Sequence, residues 1–362
     1  MGWPLKKLGD VVCLEYGKPL PKEDRAEDGA YPAYGANGIK CRTNRSYHDR
    51  PSIIIGRKGS AGELNLTKGS FWPLDVTYFV TFDESQYDLV FLFHALKHLE
   101  LTKMAKGVKP GLNRNDVYQL KFPFPPLPEQ QRLVAILDEA FEGIDAAIAN
   151  TQQNLANARE LFESYLNNVF TQKGDGWGKK KLGDVCDNLD SRRIPITKSK
   201  RESGDIPYYG ASGVVDHVAD YIFDEQLLLV SEDGANLLAR TYPIAFSISG
   251  KTWVNNHAHV LRFEEYSSQR FVEYYLNSIS LEPYVSGMAQ PKLNQKMLNG
   301  IPVPFPDVDT QKNIVASLDN VSMEVERLET IYQQKLDALA ELKQSILQKA
   351  FSGELTKEQA AA

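Results

Sequence analysis

The chain has 362 residues, 42% of them hydrophobic and 24% charged, which is the composition of a globular protein long enough for two or more cores. Its net charge of −6 argues against an overall polyanion-binding surface, and no run reaches the roughly 18 to 20 apolar residues of a membrane span or forms a signal-peptide core behind Met1-Gly-Trp-Pro-Leu-Lys. Cys13, Cys41 and Cys186 show no CxxC spacing, which excludes a disulfide framework or cysteine zinc site and fits a reducing cytoplasm.

Residues 1–122 read as a mixed α/β domain with a net charge of +4. Trp3 to Tyr16 is a short helix or turn around Leu8-Gly-Asp10 leading into a strand. Tyr31 to Ile39 is turn-rich, with Gly35, Asn37 and Gly38. Ser52-Ile-Ile-Ile-Gly56 and Val76-Thr-Tyr-Phe-Val-Thr81 are β-branched and aromatic runs, hence strands. Asp88 to Lys103 places Leu92, Ala95, Leu96 and Leu99 on one helical face. Gly56-Arg-Lys-Gly59-Ser-Ala-Gly62 lacks phosphate-loop spacing and reads as a strand-end turn. His94 and His98 share a helix face, but Ala95 stands where a zinc protease needs Glu, so they read as surface or packing residues.

Residues 123–172 open on Pro123-Phe-Pro-Pro-Leu-Pro-Glu-Gln-Gln131. These prolines end what precedes them, while Pro128 and Glu129 suit a helix's first turn. Ile144, Ile148, Thr151, Leu155, Ala158, Phe162, Tyr165 and Val169 then alternate in steps of four and three, a heptad seam that needs a partner helix. Residues 173–301 return to a mixed domain of net charge −1, entered through Gly174-Asp-Gly-Trp-Gly178. Gln226-Leu-Leu-Leu-Val230 and Ala258-His-Val-Leu-Arg-Phe263 read as strands, and Ser268 to Ser280 as a helix. Asn255-Asn-His257-Ala-His259 alternates imidazoles without a third nearby ligand, so a metal there is not expected. In residues 302–353, Pro302-Val-Pro-Phe-Pro306 precedes the partner seam: Val321, Val325, Leu328, Tyr332, Lys335, Leu339, Leu342 and Ile346. Each long helix, of about 40 residues, would span about 60 Å at about 1.5 Å per residue. Both helical segments are acidic, and residues 354–362 read as a flexible tail.

The chain is one unit written twice. Leu8-Gly-Asp10-Val11 recurs as Leu182-Gly-Asp184-Val185. Tyr34-Gly35-Ala36-Asn37-Gly38 recurs as Tyr209-Gly210-Ala211-Ser212-Gly213. Pro110-Gly-Leu112-Asn113 recurs as Pro291-Lys-Leu293-Asn294, and Leu137-Asp138 as Leu318-Asp319. Between these anchors the halves differ, as two copies with different specificities would. No nucleotide-binding glycine fingerprint, Walker lysine, amino-methyltransferase motif or nuclease carboxylate cluster is present, so no catalytic residue is assigned.

Polar and basic turns sit at matching points: Gly107 to Arg114, and Met288 to Gln295. Lys and Arg suit phosphates, Asn and Gln suit adenine edges, and Arg suits guanine. The candidate DNA contacts in the first half are Arg42, Arg45, Arg57, Lys58, Lys106, Lys109, Asn113 and Arg114. In the second half they are Arg192, Arg193, Lys200, Arg201, Asn236, Arg240, Lys251, Asn256, Gln290, Lys292 and Asn294. The acidic seamed helices also fit a coiled-coil interaction scaffold without DNA readout.

Trp3-Pro-Leu-Lys-Lys-Leu-Gly-Asp10, Tyr34-Gly35-Ala36, Pro110-Gly-Leu-Asn113 and Pro126-Leu-Pro-Glu-Gln-Gln-Arg132, with their second copies, resemble the specificity (S) subunit of type I restriction-modification systems over residues 3–353. The second copy departs at Pro306-Asp-Val-Asp-Thr-Gln311, which keeps only the flanking proline and glutamine. The resemblance implies an α+β protein in which two repeated α/β target-recognition domains are separated by two long antiparallel coiled-coil helices. It implies a non-catalytic subunit whose domains each read half of a bipartite double-stranded DNA target while the helices set the spacer and dock two modification (methyltransferase) subunits. S-adenosylmethionine, ATP and Mg2+ would belong to those and to restriction (translocase/endonuclease) subunits, with no cofactor on this chain.

Overall fold

The structure is a computed structural model that describes residues 3–172, 177–287 and 290–355. Most of the Gly174–Gly178 link, Met288, Ala289 and the tail beyond residue 355 lie outside the described residues. The chain forms two compact units, Met1–Gln152 with Gln334–Ala362, and Gln153–Gln333.

In the first unit, Val12–Tyr16, Thr77–Phe82, Ile53–Gly56 and Leu64–Leu66 pair antiparallel in that order. A second sheet is built on the hairpin Tyr31–Gly35 and Gly38–Thr43, with Trp72–Pro73 parallel to its first strand. The stretch around residues 31–39 is therefore more than a turn: Gly38, at φ 113°, makes the tight connection, and its counterpart Gly213 does so at φ 123°. The second unit repeats both designs. Asp187–Asn188, Ala258–Arg262, Leu227–Ser231 and Ala245–Ile248 form one sheet, and the hairpin Ile206–Gly210 and Gly213–Val218 centres the other, with Lys251–Val254 parallel to it. Even the register shift recurs, at Ala33/Tyr34 and Tyr208/Tyr209. Helices Leu89–His98 and Tyr266–Ser278 cover the sheets.

The Leu-Gly-Asp repeat has a packing reason. A Cβ on Gly9 would lie 2.9 Å from Tyr118 Cβ, and one on Gly183 would lie 2.9 Å from Asn299 Cβ. Each glycine lets the short helix of the following loop (Arg114–Tyr118 or Gln295–Asn299) close against the chain's entry. His94 is a packing residue, as expected. It is buried beside Phe141, and burial, with Lys97 and Lys343 nearby, pushes its imidazole down to about 4, so it sits there uncharged.

The Pro-rich breakers gain a mechanism from two fully buried glutamines. Gln130 Nε2 donates to the carbonyls of Pro125 (2.8 Å) and Gln86 (3.1 Å), while its Oε1 accepts from the Asp88 amide (2.9 Å). Gln311 Nε2 donates to the Pro306 carbonyl (2.7 Å) and its Oε1 accepts from the Ser268 hydroxyl (2.6 Å). Each glutamine ties its long helix to the carbonyl five residues earlier and to the start of the covering helix. This explains why the second copy retains the proline and glutamine and little else. Replacing Gln130 by leucine keeps its bulk and orphans these backbone groups. Q130L is expected to cost about 1–3 kcal/mol, read as a lower urea midpoint of the first unit.

The two long helices are Leu127–Thr171 and Val308–Ser352, and each contributes to both units. The seam of the first helix holds throughout: Ile144, Thr151 and Ala158 are buried, and the other five positions are half-buried. In the second unit the helices run antiparallel, as Arg159 pairs with Glu329 (2.6 Å) and Tyr165 with Ser317 (2.6 Å). In the first unit Lys343 pairs with Asp145 at 2.6 Å and lies over the Phe141 ring. Here the expected seam drifts. Leu339 and Ile346 hold, but Lys335 and Leu342 are exposed, and Leu336 and Lys343 face inward in their place. An α-helix turns in 3.6 residues, so an apolar stripe drifts about 20° per heptad from a strict 3.5 repeat, and the facing residue moves on by one.

The core of the first unit gathers Leu133, Leu137 and Phe141 from the start of one helix and Leu347, Ala350 and Phe351 from the end of the other. That of the second gathers Val315 and Leu318 with Leu166 and Phe170. Thus each unit joins a domain, the start of the helix that follows it and the end of the other helix. None of the described helices is long and apolar enough to cross a membrane.

Candidate nucleic-acid interface

At the end of the central strand of each first-described sheet, the chain makes the same junction twice. In the first unit the Arg57 amide donates to Val76 O (2.8 Å), the Leu112 amide to Arg57 O (3.0 Å) and the Gly59 amide to Pro110 O (3.0 Å). In the second, the Glu232 amide donates to His257 O (2.9 Å), Leu293 to Glu232 O (2.8 Å) and Gly234 to Pro291 O (3.0 Å). Lys58 bridges Gly111 where Asp233 bridges Lys292, and the flanking turns close through Lys106–Gly111 and Ser286–Lys292. Three loops therefore converge on one place in each unit, held by backbone bonds that do not depend on side-chain identity. The equivalences follow directly: Arg57 matches Glu232, Lys58 matches Asp233, and Val76 matches His257.

The side chains on this common frame are opposite in kind. In the first unit Tyr78 donates its hydroxyl to the Leu112 carbonyl (3.2 Å) and packs on Tyr16, with ring centroids 5.2 Å apart. Burial, with Tyr16 beside it, raises the Tyr78 hydroxyl, which keeps it a donor. Two guanidinium groups lie over the half-exposed Tyr16 ring, Arg57 at 5.4 Å and Arg114 at 4.8 Å. Arg57 also donates to the Asp75 carbonyl and Arg114 to the Leu14 carbonyl. Lys58 and Lys109 stand exposed beside them, and Lys106 is paired with Asp116 (3.3 Å). The result is a basic, aromatic-backed surface, suited to phosphates and to guanine.

In the second unit His259 Nε2 faces the Leu293 carbonyl (2.8 Å), the place Tyr78 takes against Leu112. Its Nδ1 lies 2.5 Å from Asp190, so both ring nitrogens face acceptors. Arg193, only 13% exposed, donates to Glu232 (2.6 Å) and Ala258 O (2.7 Å) and lies 3.5 Å from Asp190. Burial alone would raise the Asp190 carboxyl. The hydrogen bond and charge of His259, the Val260 amide and the Arg193 guanidinium more than offset it and hold the group below the usual range. Glu232 is lowered likewise against burial by Arg193, His259 and Lys292. Asp190, Glu232 and His259 offer three ligand atoms close enough for a cation. The Arg193 guanidinium already sits on both carboxylates and supplies the positive charge, so the donor set does not fit a metal.

The remaining candidates divide by what holds them. Arg193 is committed to this buried cluster. Arg42 is committed to the carbonyls of Gly29 and Ala30, and Arg240 to those of Leu276 and Ile279 at the C-terminal end of a helix. Asn236 bonds both main-chain groups of Tyr242. Asn113 and Asn294 cap the short helices that follow them. Arg45 pairs with Asp24, Arg192 with Glu225, Arg201 with Asp216 and Lys292 with Glu232. Lys251 lies over Tyr221. Lys200, Asn256 and Gln290 are exposed. The junctions thus gather Arg57, Lys58, Lys106, Lys109, Asn113 and Arg114 in one unit, and Arg193, Asn256, Gln290, Lys292 and Asn294 in the other. Arg42, Arg45, Arg192, Lys200, Arg201, Asn236, Arg240 and Lys251 belong to neighbouring strands and turns. Tyr16, Tyr78, Asp190 and Asp233 were not among the candidates. The step of 181 residues from Leu112 to Leu293 also takes Tyr78 to His259, and that alignment was the signal that could have found the pair.

A family model described as "Type I restriction modification DNA specificity domain" matches residues 1–157 and again 174–336. A putative type I restriction enzyme specificity subunit of Haemophilus influenzae is 37% identical over 140 residues, 39% of this chain; the match spans only 36% of that relative's length. The EcoDI specificity subunit of Escherichia coli is 41% identical over 407 residues, 98% of this chain and 89% of its own. A solved structure described as "Structural basis underlying complex assembly and conformational transition of the type I R-M system" shares the fold over 98% of both chains, with a TM-score of 0.74 at 21% identity.

Proposed function

The chain belongs to the type I restriction-modification DNA specificity family, and we propose that it is the non-catalytic subunit that selects the DNA target of such a complex. Each unit reads one half of a bipartite duplex sequence, and the long helices set the gap and dock two modification subunits. Those partners hold S-adenosylmethionine and methylate adenine. Restriction subunits add ATP- and Mg2+-dependent translocation and cleavage, and the complex works in the cytoplasm. The observation that carries this reading is the twin junction: one backbone frame bearing Tyr16, Arg57, Lys58 and Arg114 in one unit, and Asp190, Glu232, Asp233 and His257 in the other. Two copies that must read different bases keep the frame and exchange the side chains on it. A near-neutral reader is supported if its partners share the phosphate contacts.

The test is co-expression with the cognate modification subunit in a methylation-free host, followed by single-molecule mapping of N6-methyladenine. Methylation at one split motif is expected. Soluble complex with unmodified DNA would overturn the reading in favour of a scaffold. Within that assay, R114A is expected to relax one position of one half-site by about 1–3 kcal/mol of discrimination, leaving the other half-site unchanged. Equal loss at both would assign Arg114 a general phosphate role.

A further inference from the structure

We propose that His257 is a base-reading residue of the second unit, held by Asp233 in the tautomer that presents Nε2 as a hydrogen-bond acceptor to an exocyclic amine in the major groove. This rests on the proposed DNA-recognition role and goes beyond it by naming a residue, an atom and the chemistry it selects.

The position is fixed from three sides. The His257 amide donates to Oδ1 of Asn255 (2.7 Å), a buried side chain, and the His257 carbonyl accepts from Glu232. Asp233 comes from the facing loop, and its two carboxylate oxygens lie 3.0 and 2.9 Å from His257 Nδ1. An ionised carboxylate can only accept, so Nδ1 carries the hydrogen, and in a neutral ring Nε2 then has a free lone pair. Nε2 makes no hydrogen bond among the described residues, and the side chain is 51% exposed. The ring is therefore held firmly at one end and open at the other, as a residue that reads hydrogen-bonding pattern needs to be.

The surrounding charges favour a base edge over a phosphate. A carboxylate repels a phosphate; Glu232 is met by the cations Arg193 and Lys292, while Asp233, bonded to a neutral ring, keeps its charge and turns this spot away from the backbone. The matching positions in the first unit are Lys58 and Val76, so this unit lacks the pair, and its junction is basic. A ring acceptor in the major groove takes a hydrogen from N6 of adenine or N4 of cytosine, and no comparable donor exists on guanine or thymine there. Asp–His pairs also serve nucleophilic catalysis, but none of the described bonds links His257 to a serine or cysteine.

The assay is methylation by the co-expressed complex, mapped genome-wide for wild type, H257A, H257R and D233N. H257A is expected to lower discrimination on the order of tenfold at one position of the second unit's half-site, with the first unit's half-site unchanged. H257R places a permanent two-nitrogen donor at the same point and should move that position toward guanine. D233N frees the imidazole tautomer and should relax the same position as H257A and no other. The wild-type motif decides between adenine and cytosine. An unchanged motif at wild-type methylation levels in H257A overturns the proposal, as does equal relaxation at both half-sites. Should H257A prove unstable, H257R decides: a motif still identical to wild type overturns it. A wild-type complex that methylates no split motif defeats the recognition reading itself, a result distinct from any of these.

Discussion

Replacing Arg193 by methionine is expected to destabilise the second unit by about 3–5 kcal/mol, because it removes one partner from a buried charge cluster and leaves the others uncompensated. Arg193 is the guanidinium that meets both Asp190 and Glu232. Methionine matches its length but offers nothing to either carboxylate. For a unit of this size the loss corresponds to a fall in unfolding temperature of roughly 10 °C. The pH dependence has a definite sign. Asp190 and Glu232 are held below the usual carboxylate range, so they contribute stability above their unfolded values, near 4, and that contribution fades as pH falls through the lower folded values. The gap between wild type and R193M in urea midpoint should therefore be full at neutral pH and shrink in acid below about pH 4. An undiminished gap there would show that packing of the arginine stem, not its charge, carries the effect. R57M, at the Glu232 position of the first unit, should change stability little, since Arg57 lies over a half-exposed tyrosine and bonds one backbone carbonyl.

Truncating Phe351 to alanine should destabilise the first unit by about 3–5 kcal/mol, although this residue lies at the far end of the second repeat. Its ring packs against Phe122 at 4.8 Å and Phe91 at 5.6 Å, and it is 5% exposed. The expected readout is hydrogen exchange. In F351A the amides of Ile53–Gly56 and Thr77–Phe82 should lose protection, while those of Leu227–Ser231 keep theirs. The counterpart F170A should do the reverse, because Phe170 packs on Phe271 and Tyr275, each at 5.3 Å. Loss confined to the second unit in F351A would contradict the assignment of residues 334–352 to the first.

The repeat, the two mixed domains and the heptad seams were legible in the sequence because each rests on local pattern: recurring Leu-Gly-Asp and Pro-x-Leu-Asn, β-branched runs, and apolar steps of four and three. The glutamine after the proline breaker was visible as a motif, but its reason was not, since a carbonyl five residues back and a helix cap from elsewhere complete it only in the fold. Charge type alone could not sort the candidate contacts. Arg193 and Arg57 read alike in the chain, yet one is enclosed by two carboxylates and the other lies on a surface tyrosine. Pairing that spans dozens of residues, as between Asp190 and His259, leaves no local trace.

The sequence by itself determined that there are two copies of one domain, where the apolar strands of each first sheet, the covering helices and the long helices fall, and that the long helices need partners, because periodicity and backbone stereochemistry act over a few residues. Only the tertiary structure decided that each unit is completed by the end of the other copy's helix. It also decided that Arg57 and Glu232, and Lys58 and Asp233, occupy matching places on one hydrogen-bonded frame. Those outcomes depend on which distant surfaces bury each other and which charges meet once water is excluded, and neither is written in the order of neighbouring residues.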